Sequence, residues 1–249
     1  MGSLIGKVAI ITGGSRGIGR AIAKRLAKDG ASVVVNYASN VNKAHEVVSE
    51  IEAEGGKALA VQASIGNIPE TRDMFRETID YFGKLDILVN NAAYFPPAKQ
   101  LIEVTEEDFD TVFAINAKGN FFSMQEAARY IEDGGRIINF SSSATVSGYA
   151  GYTHYSGTRA AVEMFTMSAA KELGARAITV NTVAPGPTDT DLFKESFSED
   201  KRIEVSKSSP LGRIGQPEDI ADVVAFLVSD DARWITGQLI RAVGGSLLS

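Results

Sequence analysis

Three side chains between positions 142 and 159 are of types that can move a proton and steady a developing charge: Ser142, Tyr155 and Arg159. Ser142 stands just past an apolar run, 136–140, that reads as a buried strand. Tyr155 and Arg159 fall in the segment 152–173, where Val162, Phe165, Ala169 and Leu173 recur at helical spacing. Phenol and guanidinium, four residues apart, therefore share one helix face. A free phenol titrates near pH ~10, and a cation within ~4–6 Å favours the phenolate. Arginine keeps its charge at any working pH. A serine hydroxyl at a strand end can hydrogen-bond a substrate oxygen whose charge changes during reaction. Acid–base work at an oxygen is the chemistry this set could do; taken alone, the Tyr155/Arg159 pair reads more readily as an exposed helical pair.

The rest of the chain decides between these readings. Residues 7–12 form a short apolar strand run, followed at once by a glycine stretch and by a segment, 20–28, with alanine and leucine at helical spacing. The stretch carries Gly13, Ser15, Arg16, Gly17, Ile18 and Gly19. Its spacing, Gly-x-x-x-Gly-x-Gly, differs from the Gly-x-Gly-x-x-Gly of the general dinucleotide fingerprint. Between a first strand and a first helix, glycines let backbone approach a phosphate, and the free N–H groups of the helix start favour an anion. The second strand, 32–37, ends in Asn36 and Tyr37, followed by Ala38 and Ser39. An acid there would accept from a ribose 2'-hydroxyl and repel a 2'-phosphate. None is present and Arg16 lies nearby, which favours NADP over NAD.

The alternation repeats: helix 43–54 ended by Gly55 and Gly56, strand 57–62, helix 69–81 with proline at its start, strand 85–90, and a long helical segment from about 105 to 130 opened by a capping box at 105–108. Strands 136–140 and 177–183, helix 217–228 and strand 238–242 complete the pattern. Continuous apolar strands separated by helices imply one α/β domain over 1–249, a Rossmann-like, doubly wound parallel sheet of about seven strands flanked by helices. Ligands then bind at the carboxyl ends of the strands. Gly13, Asn36, Ala63 and Ser64, Asn90 and Ala92, Ser142, and Pro185, Gly186, Thr188 and Thr190 all fall at or just past such ends. Asn116 sits inside the long helical segment, where an amide could cap a distortion or hold a water. The polar stretch 189–210, with isolated Leu192, Phe193 and Phe197, reads as a mobile excursion over the site with a helical turn or two.

Composition narrows the functions further. A formal charge of −6 with no long basic block argues against a nucleic-acid groove or an anionic membrane surface. The absence of cysteine excludes disulfides and thiolate chemistry, and the only histidines, His45 and His154, are too far apart to suggest a zinc centre. The amino terminus lacks a myristoylation signal and no run approaches ~18 apolar residues, so a cytoplasmic location is expected.

Together, Thr12 to Gly19, Asn90-Asn91-Ala92, Asn116, Ser142, Tyr155 with its helix, and Pro185-Gly186 resemble the classical short-chain dehydrogenase/reductase family over nearly the whole chain, closest to its 3-oxoacyl-carrier-protein and polyhydroxynaphthalene reductases. The resemblance implies NADPH across the strand ends, with its adenosine phosphate near Arg16, Asn36 and Ser39 and its carboxamide against the backbone around Thr188. It implies hydride transfer between nicotinamide and a small ketone or secondary alcohol. Ser142 would orient the oxygen, Tyr155 carry its proton, and Asn116 hold a water leading to solvent. A homotetramer is implied too, packed through small residues of the 152–173 helix such as Ala160, Ala161, Ser168 and Ala169.

Arg159 departs from the family pattern, which places lysine four residues after the tyrosine. Ala93, Ser64 and Val243 stand where glycine, aspartate and an acid are usual. Serine, tyrosine and arginine also occur together in halohydrin dehalogenases, relatives that work without the cofactor. A dehalogenase-like enzyme and a nucleotide-binding protein with weakened catalysis are the alternatives, and the intact glycine stretch argues for the reductase.

Overall fold

A computed structural model describes residues 4–246. Its centre is a seven-stranded, wholly parallel sheet in the order β3-β2-β1-β4-β5-β6-β7: β1 Val8–Ile11, β2 Ser32–Tyr37, β3 Lys57–Gln62, β4 Leu85–Asn90, β5 Ile131–Phe140, β6 Thr179–Pro185 and β7 Leu239–Ala242. The strand order reverses between β1 and β4, so the two loops that leave these strands diverge at their carboxyl ends and open a crevice.

Side-chain alternation along the strands divides the core in two. On one face Ile11, Val33, Val35, Val89 and Ile138 pack against α1 Gly17–Lys28, α2 Val41–Ala53 and the Ile220, Val224 and Leu227 row of the late helix Pro217–Val228. On the other face Ile10, Val34, Leu88 and Ile137 meet Met74 and Phe75 of α3 Ile68–Phe82 and residues of two further helices. Full burial of each such side chain stabilises by about 1.5–3 kcal/mol, which makes the sheet a rigid platform for the loops at its carboxyl edge.

Four elements depart most from the sequence expectation. Helix α1 begins at Gly17 rather than at residue 20, because the glycines that lower helix propensity are themselves its first turn. The expected strand 136–140 begins at Ile131; its register against β4 jumps between the Leu85/Ile131 and Ile87/Arg136 pairs, and the extra residues are taken up at Gly134, with φ of 79°. The expected helix 105–130 is interrupted: α4 Glu106–Phe113 passes through a π-helical turn, Ala114–Gly119, into α5 Asn120–Tyr130. Gly119 is forced by packing, since a Cβ there would lie 2.5 Å from the Ile65 carbonyl oxygen.

The fourth difference is the excursion 189–210, which is built of two helices. After the short α6 Ala144–Ser147 and the long α7 Thr153–Leu173 come α8 Asp191–Ser196 and α9 Glu199–Ser208, before α10, the helix Pro217–Val228. Thr190 and Ser198 cap their amino ends through their side chains. Residues 1–3 and 247–249, on which the amino-terminal and tail readings partly rest, lie outside the described residues. No helix among those described is long and apolar enough to cross a membrane.

Candidate active site

The crevice at the β1/β4 switch is held open by backbone and amide contacts. Gly13 takes φ of 63° and its N–H donates to Asn36 Oδ1 (3.2 Å). Across the crevice Asn91 Nδ2 donates to the Thr12 carbonyl (2.9 Å) and the Ala92 N–H donates to Thr12 Oγ1 (3.0 Å). No side chain fits at Gly19, where a Cβ would sit 2.2 Å from the Gly13 carbonyl oxygen. The α1 amino terminus, with Gly17 at φ of 52°, thus presents bare backbone N–H groups beside Ser15 and Ile18.

Next to this cradle Ser15, Arg16, Gly17, Arg20, Lys43 and Thr190 line a cleft together with Glu46, Asp189 and Asp191. The aspartates are already paired, Asp191 with Lys43 (3.4 Å) and Asp189 with Lys194 (3.1 Å), and Arg20 pairs with Glu50 (2.5 Å). Arg16 is exposed and makes no ion pair among the described residues. Donor-rich backbone, a guanidinium without an ion pair among the described residues, and uncharged Tyr37 at the end of β2 with Ala38 and Ser39 after it fit a phosphorylated dinucleotide. Asn36 is 1% exposed and its side-chain amide bonds to the Gly13 N–H and to the Val61 and Ala63 carbonyls, so it ties β1, β2 and β3 together. Tyr37 is buried beside it, while Ser39 is free at the surface.

The proton-handling residues gather at the ends of β4 and β5. Tyr155 lies in the first turn of α7, 8% exposed, with Phe95 edge-on to its ring at 5.0 Å and 86°. Phe95 in turn stacks on Tyr152 at 4.8 Å. Burial pushes the Tyr152 phenol up, which keeps that neighbouring hydroxyl protonated. Arg159, one turn further along and 4% exposed, places Cζ 5.0 Å from the Tyr155 ring centroid and donates from Nη1 to the Phe140 carbonyl (3.0 Å). Its Nε has no partner, and no carboxylate pairs with it among the described residues. Tyr155 is thus the phenol beside a buried cation that makes no ion pair among the described residues.

Ser142 follows β5, half-buried, its Oγ accepting from the Ala144 N–H (3.2 Å) and its proton left to donate elsewhere. Asn116 lies in the π-helical turn, 1% exposed, and clamps the loop after β4: Oδ1 accepts from the Tyr94 N–H and Nδ2 donates to the Tyr94 carbonyl, both at 2.8 Å. Of the strand-end residues, Asn90 donates to Asn139 (2.9 Å) and leaves a buried Oδ1 without a partner. The Ser64 N–H is taken by Glu70, and Ala63 is buried, its carbonyl holding Asn36. Pro185, Gly186, Thr188 and Thr190 line the far wall, where a Cβ on Gly186 would crowd Val243 at 3.0 Å. Sequence reasoning missed Glu163, which receives the Ser141 and Thr145 hydroxyls (2.5 and 2.8 Å); its spacing of four from Arg159 and eight from Tyr155 was the available signal.

A switch-point crevice with a glycine cradle, and a buried tyrosine and serine across from it, define a nucleotide-dependent oxidoreductase site. Residues 13–246 match the family model described as enoyl-(acyl carrier protein) reductase. A hydroxynaphthalene reductase-like protein Arp2 from Metarhizium brunneum is 44% identical, with 98% of this chain and 96% of that protein covered. Among solved structures, the angucycline C-6 ketoreductase LanV with bound NADP superposes with a TM-score of 0.93 at 44% identity, covering 100% of this chain and 98% of the other. A short-chain dehydrogenase from Burkholderia cenocepacia in complex with NADP does so at 0.92 and 40%, covering 98% of each. The chain belongs to the short-chain dehydrogenase/reductase family and is an oxidoreductase.

Proposed function

We propose that this protein is an NADPH-dependent reductase of ketones, reversible toward secondary alcohols, with Tyr155 as its proton carrier. The carrying observation is the burial of Arg159 against Tyr155, with no carboxylate paired to it among the described residues. NADP in two of the similar structures and the reductase names of the relatives support the cofactor and the direction.

Bound NADPH would supply the hydride. The α1 amino terminus with Ser15, Gly17 and Ile18 would receive its diphosphate, Arg16 and Ser39 its 2'-phosphate, and the walls at Asn90, Ala92, Pro185, Gly186, Thr188 and Thr190 its remaining length. Ser142 hydrogen-bonds the substrate oxygen through its hydroxyl and keeps its proton, and Tyr155 transfers its phenolic proton to that oxygen as the hydride makes it an alkoxide. The Arg159 guanidinium stabilises the phenolate left behind, and the Phe95 and Tyr152 rings keep water from its flank. Asn116 sets the Tyr94 backbone that borders the pocket. Aromatic side chains along this wall suit a planar carbonyl substrate. The subunits would pair as a homotetramer through α7, where Ala160 and Ser168 are exposed beside Met164 and Met167.

Titration with NADPH and with NADH, followed by nicotinamide fluorescence, tests the cofactor. Tight NADPH binding and weak NADH binding are expected, then NADPH oxidation on adding β-tetralone. Binding of neither nucleotide would overturn the reading and favour a cofactor-free, dehalogenase-like reaction.

A further inference from the structure

We propose that Glu163 is a positioning residue that holds Ser142 in place for the reaction. Resting on the reductase reading above, this assigns a role to an acid that the proton chemistry leaves unused. Glu163 is half-buried on α7, one turn past Arg159 and two past Tyr155, so phenol, guanidinium and carboxylate form a single stripe along the helix. Among the described residues Glu163 makes no ion pair, so it is not a solvated surface acid with a basic neighbour. Its Oε1 accepts from Ser141 Oγ (2.5 Å) and from Thr145 Oγ1 (2.8 Å).

These two hydroxyls bracket Ser142. The Thr145 side chain also lies 3.0 Å from the Ser142 carbonyl, and the Thr145 N–H donates to the same carbonyl (3.2 Å). From the β6 side, backbone bonds fasten the segment at Ser141 (to the Val183 carbonyl, 2.8 Å) and Ser143 (to the Pro185 carbonyl, 3.3 Å). From the α7 side, Arg159 fastens the Phe140 carbonyl, and among the described residues Glu163 alone reaches the Ser141 and Thr145 side chains that flank Ser142. The helix that carries Tyr155 thereby also fixes the serine that must share an oxygen with it. Charge-assisted bonds to a carboxylate are shorter and stronger than neutral ones, which suits a joint whose slack would be felt in the rate.

Both bonds end on one oxygen, and this makes the role testable. Glu163→Gln keeps a side-chain oxygen able to accept both hydroxyls, whereas Glu163→Met keeps the volume and loses the acceptor. With β-tetralone, acetophenone and cyclohexanone as probe ketones, the Gln variant should hold kcat within about 3-fold of the parent and the Met variant should lose about 10-fold or more, KM unchanged. The NADPH dissociation constant should stay within about 2-fold in both, reporting an intact fold. Amide exchange over residues 141–147 should quicken in the Met variant only. A Met variant with parental kcat, a Gln variant as impaired as Met, or a loss confined to KM would overturn the role. If the parent binds NADPH yet reduces none of the three ketones, the reductase reading fails separately. The exchange measurement then decides alone: faster exchange in Met but not Gln keeps the clamp, and any other pattern removes it.

Discussion

The Arg159 guanidinium lies over the Tyr155 ring with Cζ 5.0 Å from the centroid, and its Nη1 is anchored on the Phe140 carbonyl. One side chain therefore joins the end of β5 to the helix that carries the phenol. Its charge is fixed, buried and without an ion pair among the described residues, so any negative charge forming nearby is stabilised without reorganisation. Exchange at this position should separate charge from shape. Arg159→Lys keeps the charge and is expected to hold kcat within about 10-fold of the parent, or to raise it, while Arg159→Met should lose about 100-fold. Steady-state NADPH oxidation measures both.

Arg16 lines the cleft beside the α1 amino terminus and makes no ion pair among the described residues. Its replacement by Ala should weaken NADPH binding by about 10-fold or more and leave NADH binding within about 2-fold, because only the former carries the extra phosphate. Fluorescence titration of each nucleotide checks the difference, and equal weakening of both would place Arg16 elsewhere on the cofactor.

Asn116 holds both backbone groups of Tyr94 at 2.8 Å in a buried site. Asn116→Ala leaves those groups unpaired, at a cost of about 1–3 kcal/mol. Thermal unfolding should fall by several degrees, at about 2–4 °C per kcal/mol for a chain of this size. kcat should fall with it as the Tyr94 loop loosens.

The acid limb of stability has a traceable contributor in Asp219. Its carboxylate bonds to Arg213 and to the Gln216 N–H, and these, the Arg213 bond first, hold it below the usual carboxylate range against a smaller opposing effect of burial. A depressed folded-state value adds stability that is complete above about pH 4 and is lost as pH falls through the lower folded-state value. Asp219→Asn should therefore lower the melting temperature at neutral pH, and the difference from the parent should shrink as pH falls below about 4. With side chains 42% and 51% exposed, solvent screening keeps the effect below about 1 kcal/mol.

Much of this architecture was legible because it follows from periodicity. Apolar runs such as 32–37 and 85–90 separated by amphipathic segments gave the parallel sheet, and the strand ends then located the crevice. What stayed hidden depends on contacts distant in sequence. The π-helical turn at 114–119 has the apolar pattern of an ordinary helix, and only the pairing of Asn116 with Tyr94 shows why it is there. Asn36 stands at a strand end as a ligand would, and only contacts distant in sequence show that its amide ties neighbouring strands together. Glu163 resembled any helical acid until the loop hydroxyls were seen to converge on it. The polar stretch 189–210 lacked the apolar stripe by which helices are recognised, and caps rather than burial define α8 and α9.

The central claim is that Tyr155 carries the substrate proton, and Tyr155→Phe tests it most directly. The substitution removes one hydroxyl from a ring already held by Phe95 and Arg159. NADPH affinity should remain within about 2-fold of the parent and ketone reduction should fall by about 1,000-fold or more. A Phe variant that binds NADPH and reduces ketone at the parental rate would contradict it.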